Sequence, residues 1–170
     1  MVRVLDVIDG MGMDEPFRCY YDRKTDQVVW SALDELEAAE ESNDDDELAD
    51  IAGKTENGNE DSIKIALDIV KDDGAEYVPL PTQWDIDEYS IMADFAAGLR
   101  DSQMKDRIWR GLQGTEAFRR FKQNIQRYEV ADEWYQFRDE RLHEIASEWA
   151  DENSVPIDMS EESTELPTAS

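Results

Sequence analysis

The chain has 170 residues and is strongly acidic, with 43 acidic and 17 basic side chains, a formal net charge of -26 and an isoelectric point near 4.1. Its length predicts one domain with a single core, and an apolar content of 40% that includes five Trp excludes a wholly disordered chain. The negative charge disfavours contact of the whole surface with nucleic acid phosphate or anionic lipid.

The N-terminal residues predict a short helix followed by a β-hairpin. The apolar spacing of residues 2–13 fits a helix that ends near Gly10 or Gly12. Residues 17–21 are rich in aromatic side chains, and residues 27–30 contain two β-branched valines. Because a polar, turn-like stretch separates these two segments, we expect them to pair as a hairpin.

Two helices are predicted after the hairpin, each beginning at a serine. Ser31 is expected to cap a helix over residues 32–41. Residues 54–61 are polar and loop-like. Residues 62–71 alternate as a strand would and also match a helix, but Ser62 as a cap and the following Asp-Asp-Gly as a stop favour the helix.

The second half of the chain predicts four helices. They follow an extended segment at residues 77–81, since each proline there pushes its predecessor out of the helical region. Their apolar stripes begin at Ile86, at Met104, at Phe118 and at Trp134 or Tyr135. The short connections predict a compact bundle against which the hairpin packs. The fold class is therefore α+β, a mainly helical bundle with an N-terminal β-hairpin.

Acidic residues are concentrated in two segments. Residues 34–50 carry ten acids and residues 151–170 carry six, and neither segment has a basic residue. Like-charge blocks of this kind resist folding. We therefore predict a single acidic α+β domain over residues 1–153, with a flexible acidic insert around residues 34–61 and a disordered acidic tail over residues 154–170.

Basic residues are concentrated between these acidic segments. Residues 100–127 hold eight of them against three acids. If the helices bring them together, their side chains can converge on a phosphate or carboxylate, which arginine binds through a fixed fork of donors; the alternative is that they pair with the chain's own carboxylates. The candidate contact residues are Arg107, Arg110, Arg119, Arg120, Lys122, Arg127, Phe137, Arg138 and Arg141.

The segment Leu112-Gln113-Gly114-Thr115-Glu116-Ala117-Phe118-Arg119-Arg120-Phe121-Lys122 resembles the hallmark of the uncharacterised bacterial protein family one-five-eight. The similarity extends over most of residues 17–153, through Tyr77-Val78-Pro79-Leu80-Pro81 and Trp134-Tyr135-Gln136-Phe137-Arg138. Members of that family often have Arg-Gly at the Thr115-Glu116 position. The resemblance implies a cytosolic, bacterial type of protein and no particular activity.

The acidic residues leave several explanations open. Regularly spaced carboxylates on a helix can imitate the phosphates of duplex nucleic acid, and the residues for such a surface are Asp34, Glu37, Glu41, Asp44, Asp45 and Asp46. The same segment could instead cover the basic residues until an anionic partner displaces it. A halophilic host or simply solvated faces and tails would also explain the charge, and solvated faces are the favoured explanation.

No catalytic residue, metal site or cofactor is predicted. His143 is the only histidine and Cys19 the only cysteine, so neither an internal disulfide nor a thiolate metal cluster can form in one chain. Residues 44–47 lack the spacing of a calcium loop. No apolar run reaches the ~20 residues of a membrane helix or marks a signal peptide, so we expect a cytoplasmic protein.

These observations favour a non-catalytic protein-interaction or regulatory module with its basic contact patch on the helices of residues 100–141. The expected partner is another protein; nucleic acid could bind only at the basic patch, and no membrane is involved. The first alternative is an acidic nucleic-acid mimic that binds and inhibits a DNA-binding protein. The second is an unrecognised enzyme.

Overall fold

The computed structural model describes residues 1–41 and 60–160. It is α+β and mainly helical, with a small antiparallel sheet near the N-terminus, which confirms the predicted fold class. The chain divides into two compact units, one formed by Met1–Gln83 with Ala146–Ser170 and the other by Trp84–Ile145. The single domain expected from the length of the chain stays a prediction.

The first unit contains the strands. They are β1 (Val2–Arg3), β2 (Phe17–Asp22), β3 (Gln27–Ala32), β4 (Tyr77–Pro79) and β5 (Ile157–Asp158). The predicted hairpin is β2 and β3, and the extended segment at Tyr77–Pro79 joins it, so that β2 is the central strand of an antiparallel sheet in the order β3-β2-β4. β1 and β5 pair in parallel as a separate two-stranded sheet.

In the described residues of this unit, three helices accompany the strands, namely α1 (Val4–Met11), α2 (Leu33–Glu41) and α3 (Glu60–Lys71). The core between α2 and α3 is formed by Leu36, Ala38, Ala39, Ile63, Ala66, Leu67 and Ile69. Trp149 also belongs to this unit: its indole Nε1 donates a hydrogen bond to the carbonyl oxygen of Pro79 at 2.9 Å, and its ring meets that of Tyr21 edge to face.

Neither predicted serine cap forms. Ser31 lies inside β3, and its buried hydroxyl makes no hydrogen bond to any described residue. Ser62 lies inside α3, which begins two residues earlier than predicted, and its hydroxyl donates to Glu35 Oε1 at 2.8 Å. A serine side chain is equally suited to capping and to pairing with a nearby carboxylate, so its sequence position alone does not decide between them.

The structure describes parts of the predicted insert and tail. Leu33–Glu41 and Glu60–Lys71 are helical, and the rest of the predicted insert, residues 42–59, lies outside the described residues. Residues 154–160 belong to the first unit: Val155 is buried and its N–H donates to the carbonyl of Ala150 at 2.8 Å, while β5 pairs with β1. The acids after Asp151 do not prevent this pairing. Residues 161–170 lie outside the described part.

The second unit is helical. Its helices are α4 (Gln83–Ile86), α5 (Glu88–Ala97), α6 (Ser102–Gly111), α7 (Ala117–Arg127) and α8 (Ala131–Glu152), of which α4 starts and α8 ends in residues assigned to the first unit. Asp87 caps α5 by accepting from Ser90 N–H, and Asp101 caps α6 by accepting from Gln103 and Met104 N–H. Within the described ranges, no helix combines the length and apolar character needed to cross a bilayer.

An aromatic cluster forms the core of the second unit. The ring of Phe95 on α5 lies 6.2 Å from that of Phe121, 5.4 Å from that of Trp134 and 5.5 Å from that of Phe137. Phe121 and Trp134 are closer still, with centroids 4.7 Å apart and planes at 75°. Such edge-to-face contacts add to the apolar area buried, so this cluster holds α5, α7 and α8 together.

Candidate functional site

Two of the predicted contact arginines pair with acids of their own segment. Arg110 Nη2 lies 3.0 Å from Asp106 Oδ2 on α6, and Arg119 Nη2 lies 3.0 Å from Glu116 Oε2 at the start of α7. All four side chains are largely exposed, and exposed pairs of this spacing contribute about 0.3–0.5 kcal/mol. These arginines are therefore only weakly held and face solvent.

Two further arginines tie α8 to α5. Arg138 Nε donates to Glu88 Oε1, and Arg141 Nη2 donates to Asp94 Oδ2 at 2.8 Å. The guanidinium of Arg141 also lies 5.9 Å from the ring centroid of Phe137. Both arginine side chains are half-buried. Their first role is thus structural, as links between two helices of the second unit.

The remaining predicted cations are Arg107, Arg120, Lys122 and Arg127. Each is exposed and forms no ion pair with any residue in the described ranges. On a helix that turns by about 100° per residue, Lys122 lies on one flank of α7 while Arg120 and Arg127 lie on the other. Arg120 faces α6, since a Cβ added to Gly111 would lie 3.6 Å from its Cβ. The predicted cations therefore do not form one cluster.

Two aromatic side chains that the periodicity assigned to the core, or left undecided, are exposed. Phe118 is 50% exposed although it continues the stripe of Phe121 and Ile125, and Tyr135 is 59% exposed while its neighbour Trp134 is buried. Phe118 lies in the first turn of α7. Helical spacing specifies which face carries apolar residues but not how far along the helix the neighbouring elements extend, so it cannot identify an uncovered end.

These exposed rings line a cleft of about 220 Å³ between α5, α7 and α8, which we call the aromatic cleft. It is lined by Glu88, Met92, Phe118, Phe121, Lys122, Trp134, Tyr135 and Arg138. Phe118 and Lys122 are four residues apart on one face of α7, and Tyr135 and Arg138 are three apart on one face of α8. The cleft therefore joins an exposed aromatic rim to an ammonium group that has no ion pair within residues 1–41 and 60–160.

Phe137, the aromatic residue predicted to be available to a partner, has a different position. It is half-buried against Phe95 and beneath Arg141. It lines a second cleft of about 300 Å³ together with Phe95, Gly98, Leu99, Glu133, Gln136 and Glu140. Phe137 is therefore separated from the aromatic cleft, although both belong to the second unit.

The predicted mimic surface is only partly described. Asp34, Glu37 and Glu41 are exposed on α2. Glu35, between the first two, is buried and accepts the hydroxyl of Ser62. Asp44, Asp45 and Asp46 lie outside the described residues, so the geometry of the complete surface is not defined.

Cys19 is not arranged as a nucleophile. It is buried, and burial raises the pKa of its thiol. Its Sγ donates to Met13 Sδ at 3.6 Å. A thiol must lose its proton to react, so Cys19 serves as a small core residue. In residues 1–41 and 60–160, no group of three or more His, Cys, Asp or Glu is placed to hold a metal ion.

A family model described as Uncharacterised protein family (UPF0158) matches residues 33–170. A UPF0158 protein of Pseudomonas aeruginosa is 29% identical over 66 residues, which make up 38% of this chain and 43% of that protein. The match thus spans less than half of the length of this curated relative. No solved structure shows significant similarity to the chain.

Proposed function

Because this chain belongs to the uncharacterised protein family UPF0158, its function has to be argued from its own residues, and we propose that it is a non-catalytic protein-interaction module. The proposed contact surface lies on the helices of residues 100–141. Neither the family nor its relative supplies an activity, so the proposal depends on the exposed side chains of the second unit.

One observation carries the proposal: the second unit exposes large aromatic side chains together with cations that form no ion pair to a described residue. Its exposed aromatic residues are Trp84, Tyr89, Trp109, Phe118 and Tyr135. Tyr, Trp and Arg are the residue types enriched at protein interfaces and among the side chains that dominate binding energy. Exposed rings favour association because a partner removes their apolar area from water.

The charge distribution leaves separate cations, rather than one basic patch, available to a partner. The chain as a whole has a net charge of -26, which repels other acidic proteins at long range. Arg107, Arg120 and Lys122 lack an ion pair in the described ranges, so a partner's carboxylate can approach them without first breaking a pair. Specificity then comes from the match of these few cations to acids on the partner.

The test is affinity capture with the full chain and a charge-reversed variant. Arg120→Glu combined with Lys122→Glu should abolish the capture of specific proteins from the native cell, with an unchanged far-ultraviolet circular dichroism spectrum. The matched control is Arg18→Glu combined with Lys64→Glu, which makes the same change in net charge at exposed sites of the first unit. Equal capture by both variants would contradict the proposal.

The nucleic-acid mimic makes the opposite prediction. Its partner should be a basic DNA-binding protein, and neutralising Asp34, Glu37 and Glu41 should release that partner. The charge reversal on α7 should leave it bound. The two sets of variants therefore separate the two functions in one capture experiment.

A further inference from the structure

The aromatic cleft has the size of a single side chain. Sites for small metabolites and drug-like ligands usually measure about 300–1,000 Å³, whereas this cleft measures about 220 Å³. An apolar cavity of about 150 Å³ is enough to hold a benzene molecule. The cleft therefore has room for one aromatic ring or one branched aliphatic side chain, and little more.

The floor and rim of the cleft suit such an apolar group. Phe121, Trp134 and Met92 are buried and form the floor, while Phe118 and Tyr135 form the exposed rim. Ring edges and faces of the rim can pack on an inserted ring, and the methionine can adjust to its shape. An inserted side chain would cover apolar area on both aromatic residues of the rim.

The polar end of the cleft favours a carboxylate. Lys122 has no ion pair to a described residue, while Arg138 is already bound to Glu88. The side chains of Lys122, Arg138 and Glu88 together leave one positive charge on the cleft. A carboxylate beside the inserted ring would accept a charge-assisted hydrogen bond from the Lys122 ammonium.

We propose that the aromatic cleft binds a short acidic segment of a partner protein, with one aromatic or large aliphatic side chain inserted in the cleft and a neighbouring Asp or Glu bound to Lys122. This inference deepens the proposed interaction function and rests on it. A short segment suits the site because a wholly acidic protein surface would be repelled by the rest of this chain.

The experiment measures fluorescence anisotropy of a labelled peptide with a Phe-Asp-Asp core flanked by Gly and Ser, titrated with the full chain. Two further peptides replace Phe by Ala and both Asp by Asn. Both changes should weaken binding, each by about tenfold, which corresponds to 1.4 kcal/mol. Lys64→Ala, on the exposed surface of α3, is the control variant and should bind like the unmodified chain.

Three variants locate the contacts. Lys122→Ala should weaken binding of the Phe-Asp-Asp peptide about tenfold but leave the affinity of the Asn peptide unchanged, because the Asn peptide has no carboxylate for Lys122 to bind. The double-mutant cycle thus isolates this pair. Glu88→Gln should strengthen binding of the acidic peptide several-fold, since it frees the guanidinium of Arg138 for the second carboxylate. Tyr135→Ala should weaken both the acidic and the Asn peptide.

The inference is overturned if the Phe-Asp-Asp peptide does not bind, or if Lys122→Ala and Tyr135→Ala leave its affinity unchanged. Its failure is distinguishable from that of the interaction function. If the capture of a protein depends on Arg120 and Lys122 but the peptide does not bind, the interaction function is retained and the binding of an acidic segment in the aromatic cleft is rejected. If neither the dependent capture nor the peptide binding is observed, both the interaction function and the proposed occupant of the cleft are rejected.

Discussion

Replacing Phe118 and Phe121 by alanine, one at a time, tests whether the rim of the aromatic cleft is really uncovered. The two residues are three positions apart on α7 and share one apolar stripe, so periodicity alone predicts similar losses. The structure predicts different ones. Phe121 is 1% exposed and its ring lies 4.7 Å from that of Trp134, whereas half of Phe118 is exposed.

The magnitudes follow from burial. Truncating a fully buried Phe to Ala costs about 3–5 kcal/mol of unfolding free energy. Complete burial of a large apolar side chain contributes about 1.5–3 kcal/mol, so the half-buried Phe118 should cost roughly 1 kcal/mol. In a chain of this size 1 kcal/mol shifts Tm by about 2–4 °C, which predicts a drop of roughly 6–20 °C for Phe121→Ala and about 2–4 °C for Phe118→Ala.

Urea unfolding and thermal melting, followed by circular dichroism and by tryptophan fluorescence, measure the difference. Fluorescence is suited to it because Trp134 is in direct contact with Phe121. If Phe118→Ala proves as destabilising as Phe121→Ala, Phe118 belongs to the core. The aromatic cleft would then lack one side of its rim, and the proposed site for a partner's aromatic or aliphatic side chain would be lost.

Two further predictions concern the first unit. Burial, with a hydrogen bond to Asp26, raises the pKa of Tyr21 to about 12. The tyrosine of the unfolded chain titrates near 10. The neutral Tyr21 therefore stabilises the fold fully below pH 10, and this contribution to the unfolding free energy is lost as the pH rises to 12. Urea unfolding measured across that pH range should show a loss of unfolding free energy on the order of 2–3 kcal/mol, at 1.36 kcal/mol per pKa unit. Tyr21→Phe should remove most of this pH dependence. An equally steep loss in the variant would show that Tyr21 is not its source. Gly10→Ala should lower the unfolding free energy by about 1–3 kcal/mol, because an added Cβ would lie 2.7 Å from Cδ2 of the buried Leu80 and 3.2 Å from Cγ1 of Val28. An unchanged Tm would show that these side chains move aside at no net cost.

The helices and the hairpin could be predicted because their signals are local. The α7 stripe is read from Phe121 and Ile125, and the β2–β3 hairpin from aromatic and β-branched residues flanking a polar turn. The caps could not be predicted in the same way. The hydroxyl of Ser62 donates to Glu35, which is 27 positions away in the sequence, and no local pattern reports such a pair.

The candidate site was predictable in its residue types but not in its grouping. The concentration of cations in residues 100–127 was evident from the sequence, and Lys122 and Arg138 do line one cleft. Arg110 and Arg119 pair within their own segments, and Arg120 lies on the other flank of α7. Which carboxylate reaches which guanidinium depends on helix packing, and so does the exposure of Tyr135.

The sequence by itself determined the charge, the helical and hairpin segments and the family, because composition and short-range periodicity are properties of consecutive residues. Only the tertiary structure decided that Phe118 and Tyr135 are exposed, that Glu88 holds Arg138, and that Lys122 remains without an ion pair in the described part of the chain. The physical reason is that burial and ion pairing depend on distances between segments far apart in the chain, which packing of the aromatic core sets.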